Sequence, residues 1–277
     1  MQLLMFSKML KEVGKLSVAE AGDRIAEMGF DGVDLTVRPG GHVLPEEVKG
    51  QLPEAVDILE SKGLTVPMIT TGITDAKEKY TEDVFRTASR CGVKFLKLGY
   101  WPYEGFGKLK EQIESVRSRL KGIQDLSERY GATAAIHIHS GNSLSANPAV
   151  VWMLLQDYDP DYLGAYIDPG HMAVEGSLSG WRMGMDLLSQ HIRMVAVKDF
   201  GWFQERDEKT GKKRWRLDLV PLGDGLVPWP QVFTYLQQIK FDGPVSVHSE
   251  YKNLDLEELI QQTKKDLIYL KNILRTL

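Results

Sequence analysis

Five of the six histidines and two carboxylates fall at or just beyond the ends of short β-rich runs. They lie in Arg38-Pro-Gly-Gly-His42, Ile136-His137-Ile-His139, Ile167-Asp168-Pro-Gly-His171 and Val247-His248-Ser-Glu250. If those runs are parallel neighbours, the side chains meet on one rim. Imidazoles and carboxylates gathered there can hold a divalent cation and move protons next to a carbonyl group.

In an extended strand, positions i and i+2 share a face. His137 and His139 therefore point the same way, as do His248 and Glu250. Asp168 and His171 can face a common ligand from one turn. Lys198 and Asp199 close another run with a cation for a substrate oxygen and an anion for orienting a neighbour. Arg38 and His42 flank a glycine turn suited to hydroxyls or an acidic substituent, and Trp101, Tyr103, Phe200 and Trp202 could wall a sugar ring. Each feature has a plainer explanation: core histidines hydrogen-bonded to neighbours, an Asp that merely forms its turn, a salt-bridged rim pair, aromatics that pack loops. His137, Asp168 and Glu250 together make an N/O set for Mn²⁺, Co²⁺, Ni²⁺, Zn²⁺ or Fe²⁺, with Lewis-acid stabilisation of an enediolate as its use.

The elements that must position these groups alternate regularly. Eight β-like runs are predicted, at Leu3–Phe6, Gly32–Val37, Thr65–Thr70, Phe95–Tyr100, Thr133–His139, Leu163–Asp168, Arg193–Lys198 and Pro244–His248. Amphipathic helical stretches follow them, at Ser17–Met28, Pro45–Lys62, Thr81–Cys91, Leu109–Tyr130, Ala149–Gln156, Gly180–His191, Trp229–Ile239 and Leu256–Leu274. Ser17 and Thr81 are expected N-caps, Pro45 and Pro230 suit first turns, and Gly29, Gly63, Gly92 and Gly131 are expected helix ends. Eightfold alternation without a Pro/Gly/Ser linker predicts one (β/α)8 TIM barrel domain over residues 1–277, with active groups on the loops after the strands. A doubly wound sheet is the rival, but no Gly-rich phosphate turn follows the first run. The polar insertion Gly201–Leu219, which contains a hairpin-like Lys-Thr-Gly-Lys turn, reads as a solvated loop in preference to a nucleic-acid patch because its charges are of mixed sign, with a lid over the rim as a further alternative.

Bulk properties narrow the function classes. The 34 basic and 38 acidic side chains give a net charge of −4, with no basic, aromatic-interleaved stretch, so no nucleic-acid partner is expected. Cys91 is the single cysteine, which excludes an intrachain disulfide and a thiolate zinc cluster. No apolar run approaches a membrane span and no signal pattern opens the chain, so a cytoplasmic, non-membrane protein is expected. A trimmed leader would look the same, and a homo-oligomer is compatible with all of this.

With these residues in view, the chain resembles the sugar phosphate isomerase/epimerase family of xylose isomerase-like TIM barrels. The resemblance rests on Gly29-Phe-Asp-Gly-Val-Asp-Leu35, Ala135-Ile-His-Ile-His139, Tyr166-Ile-Asp-Pro-Gly-His171, Val197-Lys-Asp199, Pro221-Leu-Gly-Asp-Gly225 and Glu250. It implies a divalent metal ion held by a strand-five residue, here His137, with Asp168, a strand-seven His and Glu250, and substrate contact by His171. The family's strand-seven His-x-Lys-Asp stands here as Ala196-Val-Lys198-Asp199. Either His139, His171 or His248 replaces the missing ligand, or the metal is weak, or ordinary epimerase chemistry is lost.

The expected function is a metal-dependent sugar isomerase or epimerase working through an enediolate. His171 and Lys198 are its foremost acid/base groups, backed by His139 and His248; Arg38, His42, Trp101, Asp199 and Trp202 bind substrate. The alternatives are a lyase or hydratase of keto-sugars or keto-glycosides, and a sugar-binding protein on a lapsed enzyme scaffold.

Overall fold

The computed structural model describes residues 1–277, apart from the side chain of Leu178. Eight parallel strands close into a barrel: β1 (Gln2–Phe6), β2 (Gly32–Val37), β3 (Thr65–Thr71), β4 (Phe95–Lys97), β5 (Thr133–His137), β6 (Leu163–Ile167), β7 (Ile192–Val197) and, after a hairpin, β10 (Pro244–Val247). Closure is made by β1, which pairs with both β2 and β10. Helices α1 (Lys8–Glu12), α2 (Val18–Met28), α3 (Val48–Glu60), α4 (Thr81–Arg90), α5 (Leu109–Tyr130), α6 (Pro148–Leu155), α7 (Pro169–Leu187), α8 (Trp229–Gln238) and α9 (Leu256–Thr276) surround it.

The main apolar core lies between strands and helices, where outward strand residues such as Leu35, Ile69, Ile136 and Val195 meet Ile25, Leu52, Phe85 and Leu120. Each fully buried Leu or Ile contributes about 1.5–3 kcal/mol. A second, smaller cluster of Leu4, Met68, Ala135, Tyr166, Met194 and Ala196 fills the barrel itself. Period-2 alternation carries its inward face upward to Phe6, Thr70, Lys97, His137, Asp168, Lys198 and His248. The same alternation that packs the barrel interior therefore delivers the polar rim.

Local signals held where they were backbone-encoded. Ser17 and Glu20 form a reciprocal capping box on α2, and Gly29 and Gly131 end their helices with positive φ. Thr81 is not a cap; Tyr80 occupies that position at φ 75°, and Thr81 begins the helix. Helix α7 begins at Pro169, eleven residues before the expected Gly180, and includes a non-helical Ser177. His171 thus sits in a helical first turn instead of a loop. The expected polar loop is a regular antiparallel hairpin, β8 (Asp199–Arg206) with β9 (Lys213–Val220), because Asp207 caps the Lys209–Thr210 turn with its side chain. No helix is long and apolar enough to cross a membrane among the described residues.

Candidate active site

At the carboxyl ends of the strands, His137, Asp168, Lys198 and Glu250 converge around one ammonium group. Lys198 Nζ lies 2.9 Å from Glu250 Oε2 and 3.4 Å from Asp168 Oδ2. Glu250 Oε1 also accepts from Lys8 Nζ at 2.6 Å. Asp168 divides its work: Oδ1 caps α7 by accepting from the His171 backbone N–H, leaving Oδ2 for the cavity. A Cβ on Gly170 would come within 2.5 Å of the Lys198 carbonyl oxygen, so only glycine lets the first turn of α7 press this close to β7.

The hydrogen bonds fix two tautomers. His137 Nε2 faces Asp168 Oδ2 at 3.3 Å, and a carboxylate can only accept, so Nε2 carries the hydrogen. Its Nδ1 then accepts from the Tyr100 hydroxyl at 2.8 Å. His139 Nδ1 donates to the Ser140 carbonyl at 2.9 Å, which leaves the lone pair on Nε2. His171 pairs through Nδ1 with Ser140 Oγ at 2.7 Å and packs its ring 4.0 Å from that of His139. His248 Nε2 meets the Tyr166 hydroxyl at 2.9 Å, and its ring stacks on Phe6.

Burial holds all four rim histidines below the usual imidazole range, with the Lys198 charge adding to the effect, so each is neutral at pH 7. Burial works against the Lys198 ammonium too, but Glu250 and Asp168 outweigh it and hold the group above the ordinary lysine range. Burial alone would raise Glu250; Lys198, His248 and Lys8 together drive it well below. Deeper in the barrel, burial pushes Asp34 up to about 7 despite hydrogen bonds from Thr70 and Ser246. Lys97, buried with Arg38 nearby, is pulled well below its usual range.

These groups line a cavity of about 100 Å³, with Lys8, Arg38, Lys97, Tyr100, His139 and Glu250 among its walls. That volume is enough for the reactive end of a small sugar. Roomier hollows of about 330 and 650 Å³ border α7 but gather no comparable set of ionisable groups.

Among the residues singled out from sequence, His137, His139, His248, Lys198, Arg38 and Glu250 border this cavity, with Asp168 and His171 packed directly behind. Four others lie elsewhere. Asp199 points out of the barrel, where its carboxylate accepts from Phe200 N, Val227 N and Trp229 Nε1 and so anchors the chain before α8. His42 folds onto Thr36 through Nδ1 at 3.2 Å. Trp101 is buried beneath its loop, and Trp202 sits 46% exposed on the hairpin. The sequence reading missed Lys8, Lys97, Tyr100, Tyr166 and Asp34. For Lys97 and Asp34 a signal existed: a charge at an inward position of an otherwise apolar strand.

The donor set does not fit the expected divalent ion. Lys198 Nζ stands between the two carboxylates, His137 turns a hydrogen toward Asp168, and Ala196 packs against Tyr166 inside the barrel. No three His, Cys, Asp or Glu side chains are grouped so as to hold a metal ion among the described residues.

A closed parallel eight-stranded barrel ringed by helices defines a TIM barrel. The chain belongs to the xylose isomerase-like TIM barrel family, whose profile matches residues 23–273. Solved structures with the same fold include 3-keto-D-glucoside 4-epimerase from E. coli (14% identity, TM-score 0.71, covering 98% of this chain and 99% of that one). A second is the probable 3-DHS dehydratase AsbF of Bacillus anthracis (16% identity, TM-score 0.71, covering 97% and 99%). A third is a xylose isomerase-like TIM barrel protein from Mycobacterium smegmatis in complex with magnesium (16% identity, TM-score 0.69, covering 99% and 97%). At these identities the likeness is one of fold. No curated protein matches the chain by sequence.

Proposed function

We propose that this protein is a sugar isomerase or epimerase that moves a proton on a carbon next to a carbonyl of a small carbohydrate or keto-sugar. The observation that carries this reading is a neutral imidazole with a fixed lone pair, His139 Nε2, on the same small cavity as an ammonium, Lys198, whose charge Glu250 and Asp168 support. Epimerases on the same barrel support it. His139 takes the base role ahead of His171, whose ring is packed behind it and is absent from the cavity wall.

His139 Nε2 takes the proton as the C–H bond breaks, the electron pair forms a C=C bond, and the carbonyl pair moves to oxygen. Lys198 stabilises the resulting enediolate oxygen, a role that preorganised donors fill at about 2.7–4 kcal/mol each. Return of the proton to the neighbouring carbon, with that carbon's oxygen taking the hydroxyl proton of the first carbon as the new C=O forms, completes an isomerisation; delivery of a proton to the opposite face of the same carbon by a second acid, as the oxygen pair re-forms the C=O, completes an epimerisation. Arg38, Lys8 and the Tyr100 hydroxyl are placed to hold the remaining oxygens.

A lyase or hydratase is the second reading, favoured by the dehydratase on this fold. It starts from the same enediolate and expels a β-substituent. Incubating the protein with ketoses and keto-glycosides in D₂O tests both. Deuterium in unchanged carbon skeletons marks isomerisation or epimerisation, and loss of water or an alcohol marks elimination. His139→Asn should lower either rate by about 10²–10⁴-fold. A His139→Asn protein that exchanges as fast as the parent would refute the assignment of the base.

A further inference from the structure

We infer that Lys198 occupies, as a buried ammonium ion, the place where a divalent metal would otherwise polarise the substrate, so that this barrel works without a metal ion. The chemistry it serves rests on the reading given under Proposed function; the occupancy itself does not.

Four observations converge. First, Nζ of Lys198 contacts Asp168 Oδ2 at 3.4 Å and Glu250 Oε2 at 2.9 Å. These are the two carboxylates a cation at the rim would need, and the side chain is only 3% exposed. Bound transition metals sit about 2.0–2.2 Å from carboxylate oxygen, so an ion could enter only by expelling Nζ. Second, the imidazole nearest to Asp168, His137, offers an N–H and not a lone pair, because Asp168 accepts from Nε2 and the Tyr100 hydroxyl takes Nδ1, while His171 Nε2 and His248 Nδ1 stand farther off, each 3.7 Å from a carboxylate oxygen of Asp168 and Glu250 respectively.

Third, the inward position two residues before Lys198 is Ala196, a member of the apolar cluster inside the barrel together with the buried Tyr166 ring, which is stacked on His137 with centroids 4.4 Å apart. That strand therefore supplies an ammonium and no ligand. Fourth, the charges already exceed balance. Lys8, Arg38 and Lys198 face Asp168 and Glu250, while burial drives Lys97 toward its neutral amine and pushes Asp34 up to about 7. A divalent ion that expelled Nζ would still raise that positive excess. A single negative charge arriving there, the enediolate oxygen, brings the site back toward neutrality.

An ammonium can meet the requirement. It carries three N–H donors. Two are directed at Glu250 and Asp168, leaving the third for the carbonyl oxygen that becomes the enediolate oxygen, with no change in the charge of Lys198 during the step. Glu250 is held in turn by Lys8 at 2.6 Å, which keeps the carboxylate, and with it the ammonium, in position.

Metal content decides the matter on the purified full-length protein, independently of any substrate. After desalting, elemental analysis should find no stoichiometric transition metal, and titration with Co²⁺ should give no d–d absorption band. Lys198→Ala removes the ammonium and leaves Asp168 and Glu250 facing each other, so this variant should gain an equimolar Co²⁺ site with a visible spectrum. A parent protein that retains one equivalent of metal overturns the inference. So does a folded Lys198→Ala protein, checked by circular dichroism, that binds no more cobalt than the parent; should that variant not fold, the parent's metal content decides alone. Deuterium exchange that survives EDTA unchanged supports metal independence, and exchange abolished by EDTA and restored by Mn²⁺ contradicts it. Absence of exchange into every sugar, with the protein metal-free, would sink the sugar reading while leaving the occupancy of the site by Lys198 intact.

Discussion

Two lysines on opposite sides of the same barrel mouth show how far surroundings decide what a side chain can do. Lys198, at the end of β7, lies between Asp168 and Glu250 and is held charged. The Lys97 side-chain nitrogen, on β4, has no hydrogen bond or ion pair among the described residues; Nζ rests 3.6 Å from the centre of the Tyr100 ring. Burial therefore dominates and drives Lys97 toward the neutral amine. Both are inward-facing lysines at strand ends, each with less than a twentieth of its surface exposed. The difference lies in which strands stand beside them: β6 and β10 contribute carboxylates, whereas the neighbours of β4 contribute hydroxyls, imidazole and a phenol ring.

The same substitution at the two positions should break the comparison most severely. Lys198→Met removes the partner of two buried carboxylates and should cost about 3–5 kcal/mol of stability, read by urea denaturation, together with about 10²–10³-fold in deuterium exchange. Lys97→Met replaces an unpaired buried amine by an apolar group of similar length and should leave stability unchanged or raise it by about 1 kcal/mol. Equal losses at both sites would mean that the carboxylates do not distinguish them.

Acid should then expose the histidines. The unfolded chain binds a proton on each near pH 6.5, whereas the folded form resists it, because burial lowers His137, His139, His171 and His248. Stability is therefore full above that pH and falls as pH drops below it, by up to about 1.4 kcal/mol per pH unit for each histidine that stays neutral in the fold. Thermal melts between pH 8 and 5 should show Tm falling toward acid; a flat profile would mean that the rim histidines are already charged in the native state. The two lysines separate again at alkaline pH: in ¹³C-methylated protein the Lys97 resonance should titrate below the normal lysine range and that of Lys198 above it. The smallest effect belongs to the hairpin, where Trp202→Ala on a 46% exposed side chain should change stability by no more than about 0.5 kcal/mol and leave exchange intact.

Much of the rim was legible because strand periodicity is a local property. His137, His139, Lys198, His248 and Glu250 follow from counting in twos along runs whose ends the sequence marks, and the closed barrel confirms that they share a mouth. Asp199 could have been excluded on the same count, since it follows Lys198 directly and must face the other way. His42, Trp101 and Trp202 were beyond reach, because loop side chains obey no such period and their partners, Thr36 for His42 among them, come from tertiary packing. The hairpin was underestimated because its polar composition resembles a solvated loop, although Lys-Thr-Gly-Lys marked its turn.

By itself the sequence determined the number and alternation of strands, the face on which each rim residue lies and the absence of a strand-seven histidine, since all three depend on order along the chain. Only the tertiary structure decided that Lys198 stands between Asp168 and Glu250, that Tyr100 sets the tautomer of His137, and that His139 instead of His171 reaches the cavity. Those facts depend on distances between strands that are far apart in sequence, where a shift of one hydrogen-bond length exchanges a ligand for an ion pair.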